Sequence, residues 1–437
     1  MGIVDRVKAA GVVGAGGAGF PAWKKMSARA ECVIANGSEC EPLIRVDQQL
    51  MTRYACELVE GMRLVMEATG AKKGIIALKG KYRKAVTALE GCGALNGIDI
   101  HLLENYYPAG DEQALVCDVT GRIVPEGGIP LDIGVAVQNV GTLINVRRAA
   151  DGRPVTRRWL TVTGAVKEPK TISLPVGASV ADALSAAGGA TVASPAVIDG
   201  GPMMGAESRG LVLKTTTSLI ALPGDHPLIR YKRKPIDLDV KIARSACEGC
   251  RFCTDLCPRF LLGHALEPHA IMGAVAYQDP AGIDPRVVAQ AYLCCQCGLC
   301  GMYSCPTMLS PERIIKSLVL PLKASGAAPL HRRRRLEVHP ERVYRRPPVG
   351  DLVERFALGE YEAEAPLTEE PFEVGAVTIP LKQHVGVPCV PRVKEGDRVA
   401  EGDLIADVPD GALGAPVHAS ISGSVTRVTA ADISIRA

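Results

Sequence analysis

The sequence predicts a multidomain α/β protein, and three observations carry that expectation. Residues 1–150 alternate short apolar runs with helical patterns, which is how a mainly parallel sheet flanked by helices reads. Eight cysteines between Cys247 and Cys305 fall into two matched sets, the mark of a ferredoxin-like segment. Turn signals at Gly396-Asp397 and Gly402-Asp403 crowd the last stretch, which suits short strands in a compact barrel or sandwich.

Within the first region, Cys32-Val33-Ile34-Ala35 predicts a strand. From Asp47 to Thr69, Leu50, Tyr54, Leu58, Met62 and Met66 recur at four-residue steps, so one helix is expected there, stopped by Gly70. Residues 74–78, 98–103 and 133–137 read as strands, and Lys81 to Leu89 and Asp111 to Val119 as helices. The character changes near 155. Trp159 to Gly164 and Thr171 to Pro175 read as paired strands, and Val180 to Ala187 as a short helix, which suits a small β-grasp module. The expected domains are 1–154, 155–235, 236–325 and 373–437, with a Pro- and Arg-rich linker over 326–372. The run Arg332 to Arg335 reads as a solvated part of that linker, beside an acidic stretch.

Composition narrows the function. A chain of 437 residues has ample length for several buried cores. A formal net charge of +3 gives no general attraction to nucleic acid, and aromatics at 4% offer no base-stacking platform. Apolar residues make up 47%, yet no run approaches the roughly 18 needed to cross a bilayer, so no transmembrane segment is expected. Met1 leads straight into Gly2-Ile3-Val4-Asp5 with no basic-then-apolar leader, which points to a reducing cytoplasm. Cys32, Cys40, Cys56, Cys92, Cys117 and Cys389 are expected to be small buried apolar residues.

The cysteine sets carry the chemistry. Cys247, Cys250, Cys253 and Cys257 are followed by Pro258; Cys294, Cys297, Cys300 and Cys305 are followed by Pro306. Three cysteines at two-residue gaps let one tight loop wrap three irons of a cubane. The distant fourth, before a proline, ligates the other cube in two-cluster ferredoxins. The expected ligand sets are therefore Cys247, Cys250, Cys253 with Cys305, and Cys294, Cys297, Cys300 with Cys257. Zinc needs only four ligands in paired units, and disulfides need an oxidising compartment. Cys295 is an extra thiol, read as a non-ligand. Clusters of this kind exchange single electrons, so the protein is expected to move electrons.

Gly14 to Gly19 satisfies G-x-G-x-x-G, but no clear strand precedes it and Phe20-Pro21 interrupts any helix that follows. Glycines there let backbone N–H groups approach phosphate, with Lys24 or Lys25 adding charge. Gly16-Gly17-Ala18-Gly19-Phe20-Pro21 with Lys25 resembles the flavin loop of the NADH-binding subunit of respiratory complex I, and still more the RnfC family of electron-transfer flavoproteins. Asn36-Gly37-Ser38-Glu39-Cys40-Glu41-Pro42, Tyr107-Pro108-Ala109-Gly110-Asp111-Glu112 and Gln138-Asn139-Val140-Gly141-Thr142 match in the same order. Relative to the complex I pattern, Ser38 replaces an Asp, and Asp111 and Gly141 each replace a Glu.

The resemblance implies a Rossmann-like flavin and NADH domain, an SLBB β-grasp module, a two-cluster ferredoxin-like helical domain and a barrel-sandwich module. The last of these comes first in RnfC and last here. That order resembles the cobalamin reductases of propanediol utilisation, which work with bacterial microcompartments. By resemblance, Gly16, Gly17, Gly19, Lys25, Asn36, Glu39, Gly110, Asn139 and Thr142 would hold FMN. Phe20, Glu41 and Glu112 would border NADH. The implied activity passes electrons from NADH through FMN and two 4Fe-4S clusters to cobalamin, reducing cobalt to Co(I), because a flavin joins two-electron and one-electron chemistry. The implied partners are cobalamin or a corrinoid adenosyltransferase, and a microcompartment shell protein. An alternative is an RnfC-like protein passing electrons between NADH and ferredoxin at a membrane complex. A third is a binding module whose clusters serve structure.

Overall fold

In this computed structural model, residues 1–93, 95–278, 283–324, 326 and 330–437 are described. The expected domain junction at 325/326 falls partly outside them. Helices α1 (Ile3–Ala9) and α2 (Ala22–Met26) bracket the glycine loop. Then β1 (Cys32–Gly37), α3 (Val46–Arg53), α4 (Ala55–Thr69), β2 (Lys73–Lys79), α5 (Arg83–Glu90), β3 (Ile98–Leu103), α6 (Glu112–Thr120), β4 (Val135–Asn139) and α7 (Val140–Ala150) alternate along the chain. The four strands are parallel in the order β3-β2-β1-β4. Val33, Ile34 and Ala35 are fully buried, as a central parallel strand covered on both faces requires.

The single helix expected over 47–69 is two. Tyr54 leaves the helical region between α3 and α4, at φ −117° and ψ 33°. Its ring packs on Trp159 of the next module at 5.8 Å, with the Arg148 guanidinium 4.8 Å above it. Tertiary packing overrides the four-residue periodicity there. Gly70 ends α4 in the left-handed conformation, as expected. Gly61 lets α4 and α7 touch backbone to backbone, because a Cβ there would stand 2.0 Å from the Leu143 carbonyl oxygen.

The β-grasp module contains β5 (Arg157–Gly164), β6 (Lys170–Pro175), α8 (Val180–Ala186), β7 (Pro195–Asp199), β8 (Ala206–Glu207) and β9 (Ser218–Pro223). Its sheet runs β6-β5-β9-β7-β8, with β5 and β9 parallel. The carboxy-terminal module pairs Ala376–Pro380, Asp432–Arg436, Gly423–Val428 and Arg398–Val399 in one antiparallel sheet, and Val390–Pro391, Leu404–Asp407 and Val417–His418 in another. The two β modules share one apolar core, since Leu160, Ile172 and Leu219 pack in the same cluster as Val377, Ile405 and Ile435. Helices Ile236–Ala246, Pro268–Tyr277 and Pro311–Ala324 surround the cysteine loops.

Two expectations are corrected. Cys56 and Cys92 are not lone apolar residues; they form a disulfide between α4 and the turn that follows α5, with Cα atoms 5.2 Å apart. Nor is the arginine run simply solvated. Arg333 donates from Nε and Nη2 to Glu126 at 2.9 and 2.8 Å, and further on Arg342 and Arg346 both hold Asp118. Downstream, helix Val349–Arg355 buries Leu352 and Val353 beside Tyr107, Ile198 and Leu299. Buried carboxylates recruit these arginines, because an unpaired charge out of water is costly. Among the described residues, no helix is long and apolar enough to cross a membrane.

Candidate functional site

The carboxyl ends of β1 and β4 form the sheet's switch point, where the chain leaves β1 towards β2 and returns on its other side as β4, and it is there that a ligand crevice is expected. Open α/β sheets bind ligands at such a switch point. The matched stretches meet there. The Ala15 amide donates to Thr142 Oγ1 at 2.8 Å, and a Cβ on Gly16 would lie 3.4 Å from Asn139. Asn139 caps α7 by accepting from the Gly141 N–H at 2.9 Å and donates to Asp47 at 2.7 Å. Asn36 donates to the Gly110 carbonyl at 2.9 Å. Lys25 Nζ donates to Glu112 at 2.8 Å and to the Val137 carbonyl at 3.0 Å. Glu39 accepts from the Asp47 and Gln48 amides at 2.7 and 3.3 Å. Burial and the neighbouring Asp47 push Glu39 up to about 8, while burial pushes Asp47 up to about 6. Phe20 lies half-buried at the loop's end.

The crevice suits a flavin phosphate ester. Gly17 has φ +105° and nothing within 4 Å of where its Cβ would be. Ser38 Oγ and Gln138 Nε2 are buried without a hydrogen-bond partner. The amide-rich start of α7 favours an anion. Gly19, at φ +65°, is closed over by the later modules: a Cβ there would meet Thr215 Cγ2 at 2.8 Å, and its carbonyl accepts from the Val385 amide at 3.0 Å. Trp23 Nε1 donates to the Gly414 carbonyl at 2.9 Å. Buried Lys214 joins three modules, donating from Nζ to the Gly11 and Pro416 carbonyls at 2.9 Å each and from its amide to Gln383 at 3.0 Å.

Glu41 lies against the β-grasp module. Its carboxylate accepts the Met203 and Met204 amides at 2.8 Å each, and a Cβ on Gly201 would fall 2.2 Å from it. These bonds anchor the 200–205 loop of that module. The two unpaired amides of that loop need an acceptor, and the sequence around Glu41 carries no trace of them.

The cysteines gather into two nests with the fourth members exchanged. Cys247, Cys250, Cys253 and Cys305 line one cavity. Cys257, Cys294, Cys297 and Cys300 lie within electrostatic reach of one another in the second. The two loops are built alike. The second and fourth residues after each leading cysteine are left-handed: Gly249 and Arg251 in one, Gln296 and Gly298 in the other. The first nest reaches the surface at Cys250, whereas Cys257, Cys297 and Cys300 are buried. Burial and the neighbouring cysteines push Cys253 up to about 12, and burial with Cys295 pushes Cys257 up to about 12. Sulfur ligands must be thiolates, so crowded thiols of this kind suit a positively charged iron core that lets them ionise. Among the described residues, no three His, Cys, Asp or Glu side chains close on a single ion. A cubane spreads its four thiolates around a wider core.

The second nest abuts the crevice. Tyr107, fully buried, donates to the Cys297 carbonyl at 2.7 Å. Asp111 accepts from the Arg259 Nη1 and Nη2 atoms at 2.7 and 2.9 Å, and the Arg259 charge acts on Cys257, Cys294 and Cys295, favouring their thiolates. The Met203 carbonyl approaches Gly298. Sequence reasoning missed Arg259 and Tyr107. Only their nearness to Cys257 and Gly110 in the chain hinted at them.

Family comparisons match these parts one by one. Residues 7–148 match the Nuo51 FMN-binding domain, 160–207 the SLBB domain, 246–310 a 4Fe-4S dicluster domain, and 361–436 the RnfC barrel sandwich hybrid domain. Fold and site thus define a multidomain flavin and iron–sulfur oxidoreductase. Among whole proteins, the chain is 45% identical to cobalamin reductase PduS of Salmonella typhimurium over 99% of this chain and 96% of that one. It is 35% identical to one component of the Na(+)-translocating ferredoxin:NAD(+) oxidoreductase complex of Acetobacterium woodii, over 57% of this chain and 56% of that one. An NAD+-reducing NiFe hydrogenase structure aligns over 84% of this chain and 67% of that one, at 22% identity and a TM-score of 0.47. The chain belongs to the PduS cobalamin reductase family.

Proposed function

We propose that this chain oxidises NADH at the crevice and delivers electrons singly, through two 4Fe-4S clusters, to cobalamin, lowering cobalt from Co(III) or Co(II) to Co(I). One observation carries the reading: the buried cysteine nest touches the crevice through Tyr107 and the Asp111–Arg259 pair, while the other nest reaches the surface at Cys250. Electrons then enter by Cys257, Cys294, Cys297 and Cys300 and leave by Cys247, Cys250, Cys253 and Cys305. Bound FMN supplies the exchange between paired and single electrons. Gly16, Gly17, Gly19, Asn36, Glu39, Gly110, Asn139 and Thr142 shape its seat. Lys25 and Glu112 fix each other at its edge. The carboxy-terminal module keeps water from the loop at Gly19. Cobalamin or a corrinoid adenosyltransferase meets the exposed nest, and the likeness to PduS supports work inside a bacterial microcompartment.

Anaerobically purified chain tests the proposal. NADH should bleach the flavin and cluster absorbance, and cobalamin should restore it. A chain that is colourless, or that NADH bleaches but cobalamin leaves bleached while ferredoxin with membrane partners restores colour, refutes the cobalamin reading.

A further inference from the structure

A buried ion pair spans the boundary between crevice and second nest. The Arg259 and Asp111 side chains retain 9% and 14% of their exposure, and two hydrogen bonds join them. Each partner is fixed from behind. Asp111 also caps α6 through the Gln113 and Ala114 amides at 3.2 and 3.1 Å. Arg259 follows Cys257 by two residues, on the short helix Pro258–Leu261 that Cys257 precedes. Glu312 also stands at the nest, where it accepts from Tyr231 at 2.7 Å and from Cys300 Sγ at 3.9 Å.

We propose that Asp111 and Arg259 are positioning residues that together set the reduction potential of the cluster nearest the flavin. The inference rests on the reading that Cys257, Cys294, Cys297 and Cys300 hold that cluster. A cluster gains one negative charge when it is reduced. A fixed cation beside it stabilises the reduced form, the more so where water is excluded. Arg259 is that cation, and its charge does not depend on pH. Asp111 holds the guanidinium against the sulfurs and offsets part of its field. The pair also joins the nest to the loop at Gly110, whose carbonyl accepts from Asn36.

The test is an anaerobic potentiometric titration of the holoprotein, with each cluster's signal followed by electron paramagnetic resonance and iron counted on the same samples. Arg259→Gln lowers the midpoint of one cluster, Asp111→Asn raises the same midpoint, and the double variant falls between them. Arg259→Lys recovers part of the loss. A merely structural role would move both single variants the same way, and that result, or no movement in either, overturns the proposal. If Arg259→Gln loses its iron, Asp111→Asn and Arg259→Lys decide by the same signs. Wild-type protein with iron for fewer than two clusters would instead sink the ligand reading beneath it.

Discussion

Lys214→Met removes the cation that joins the glycine-loop domain to both β modules. At neutral pH the substitution strips the Gly11 and Pro416 carbonyls of their donor. An unsatisfied buried polar group costs about 1–3 kcal/mol, and the apolar replacement returns some of the cost of burying an ammonium, so a net loss of roughly 2 kcal/mol is expected. Burial lowers the Lys214 amine to about 8 from an ordinary 10.5. Between those values the unfolded chain binds the proton and the folded chain does not, so the wild type gains stability as pH rises. From pH 7 to pH 9 that gain is about 1.3 kcal/mol for this one group. The variant lacks it, so the gap between the two proteins widens with pH. Cysteines and tyrosines away from Lys214 affect both proteins alike and cancel in the difference, and burial holds neighbouring Cys389 up at about 11, above the range compared. Flavin release in urea, followed by fluorescence, reads the effect. With a slope of about 1–3 kcal/mol per molar, the variant's midpoint should fall by roughly 1 M at pH 7 and further at pH 9. Equal midpoints at both pH values, or a gap that narrows at pH 9, would refute the clamp.

Other outcomes follow from single side chains. Cys253→Ala should roughly halve the iron per chain and remove the signal of one cluster, with flavin content kept, because Cys253 lines the exposed nest's cavity. Glu41→Gln should leave the KM for NADH unchanged and cost about 1–3 kcal/mol of stability, since a Gln amide offers a donor where two backbone amides need acceptors. A raised KM with unchanged melting would return Glu41 to the nucleotide. His418 is held down to about 4 from 6.5 by burial, with nearby Lys214 adding to the effect. The folded state keeps it neutral, so its contribution is lost as pH falls from 6.5 towards 4. His418→Gln should therefore lose about 2 kcal/mol less than wild type on going from pH 7 to pH 5, read from paired denaturant titrations.

The parallel sheet and the cysteine nests were legible because their causes are local. Apolar runs bounded by glycines specify strands such as Ile98–Leu103 wherever they later pack. The exchange of Cys257 and Cys305 between nests could be read from two triplets, each with a trailing Cys-Pro. What stayed hidden depends on partners far along the chain. The break at Tyr54 needs Trp159, and the burial of Glu41 needs the 200–205 loop. Arg333 looked like one of four solvated charges until Glu126 appeared opposite it. Cys56 and Cys92 are separated by a strand, and only the packing of α4 against α5 brings them together. Periodicity says which face is apolar, and not whose face it meets.

The bond from Trp23 to Gly414 ties residues 391 positions apart. Synthesis proceeds from the amino end, so the domain around the glycine loop can fold long before its cover exists. A flavin that arrives early therefore meets an open seat. The cover over Gly19 and Trp23 arrives only when the module holding Val385 and Gly414 emerges and docks, so a flavin seated there would be retained only once that module has been made.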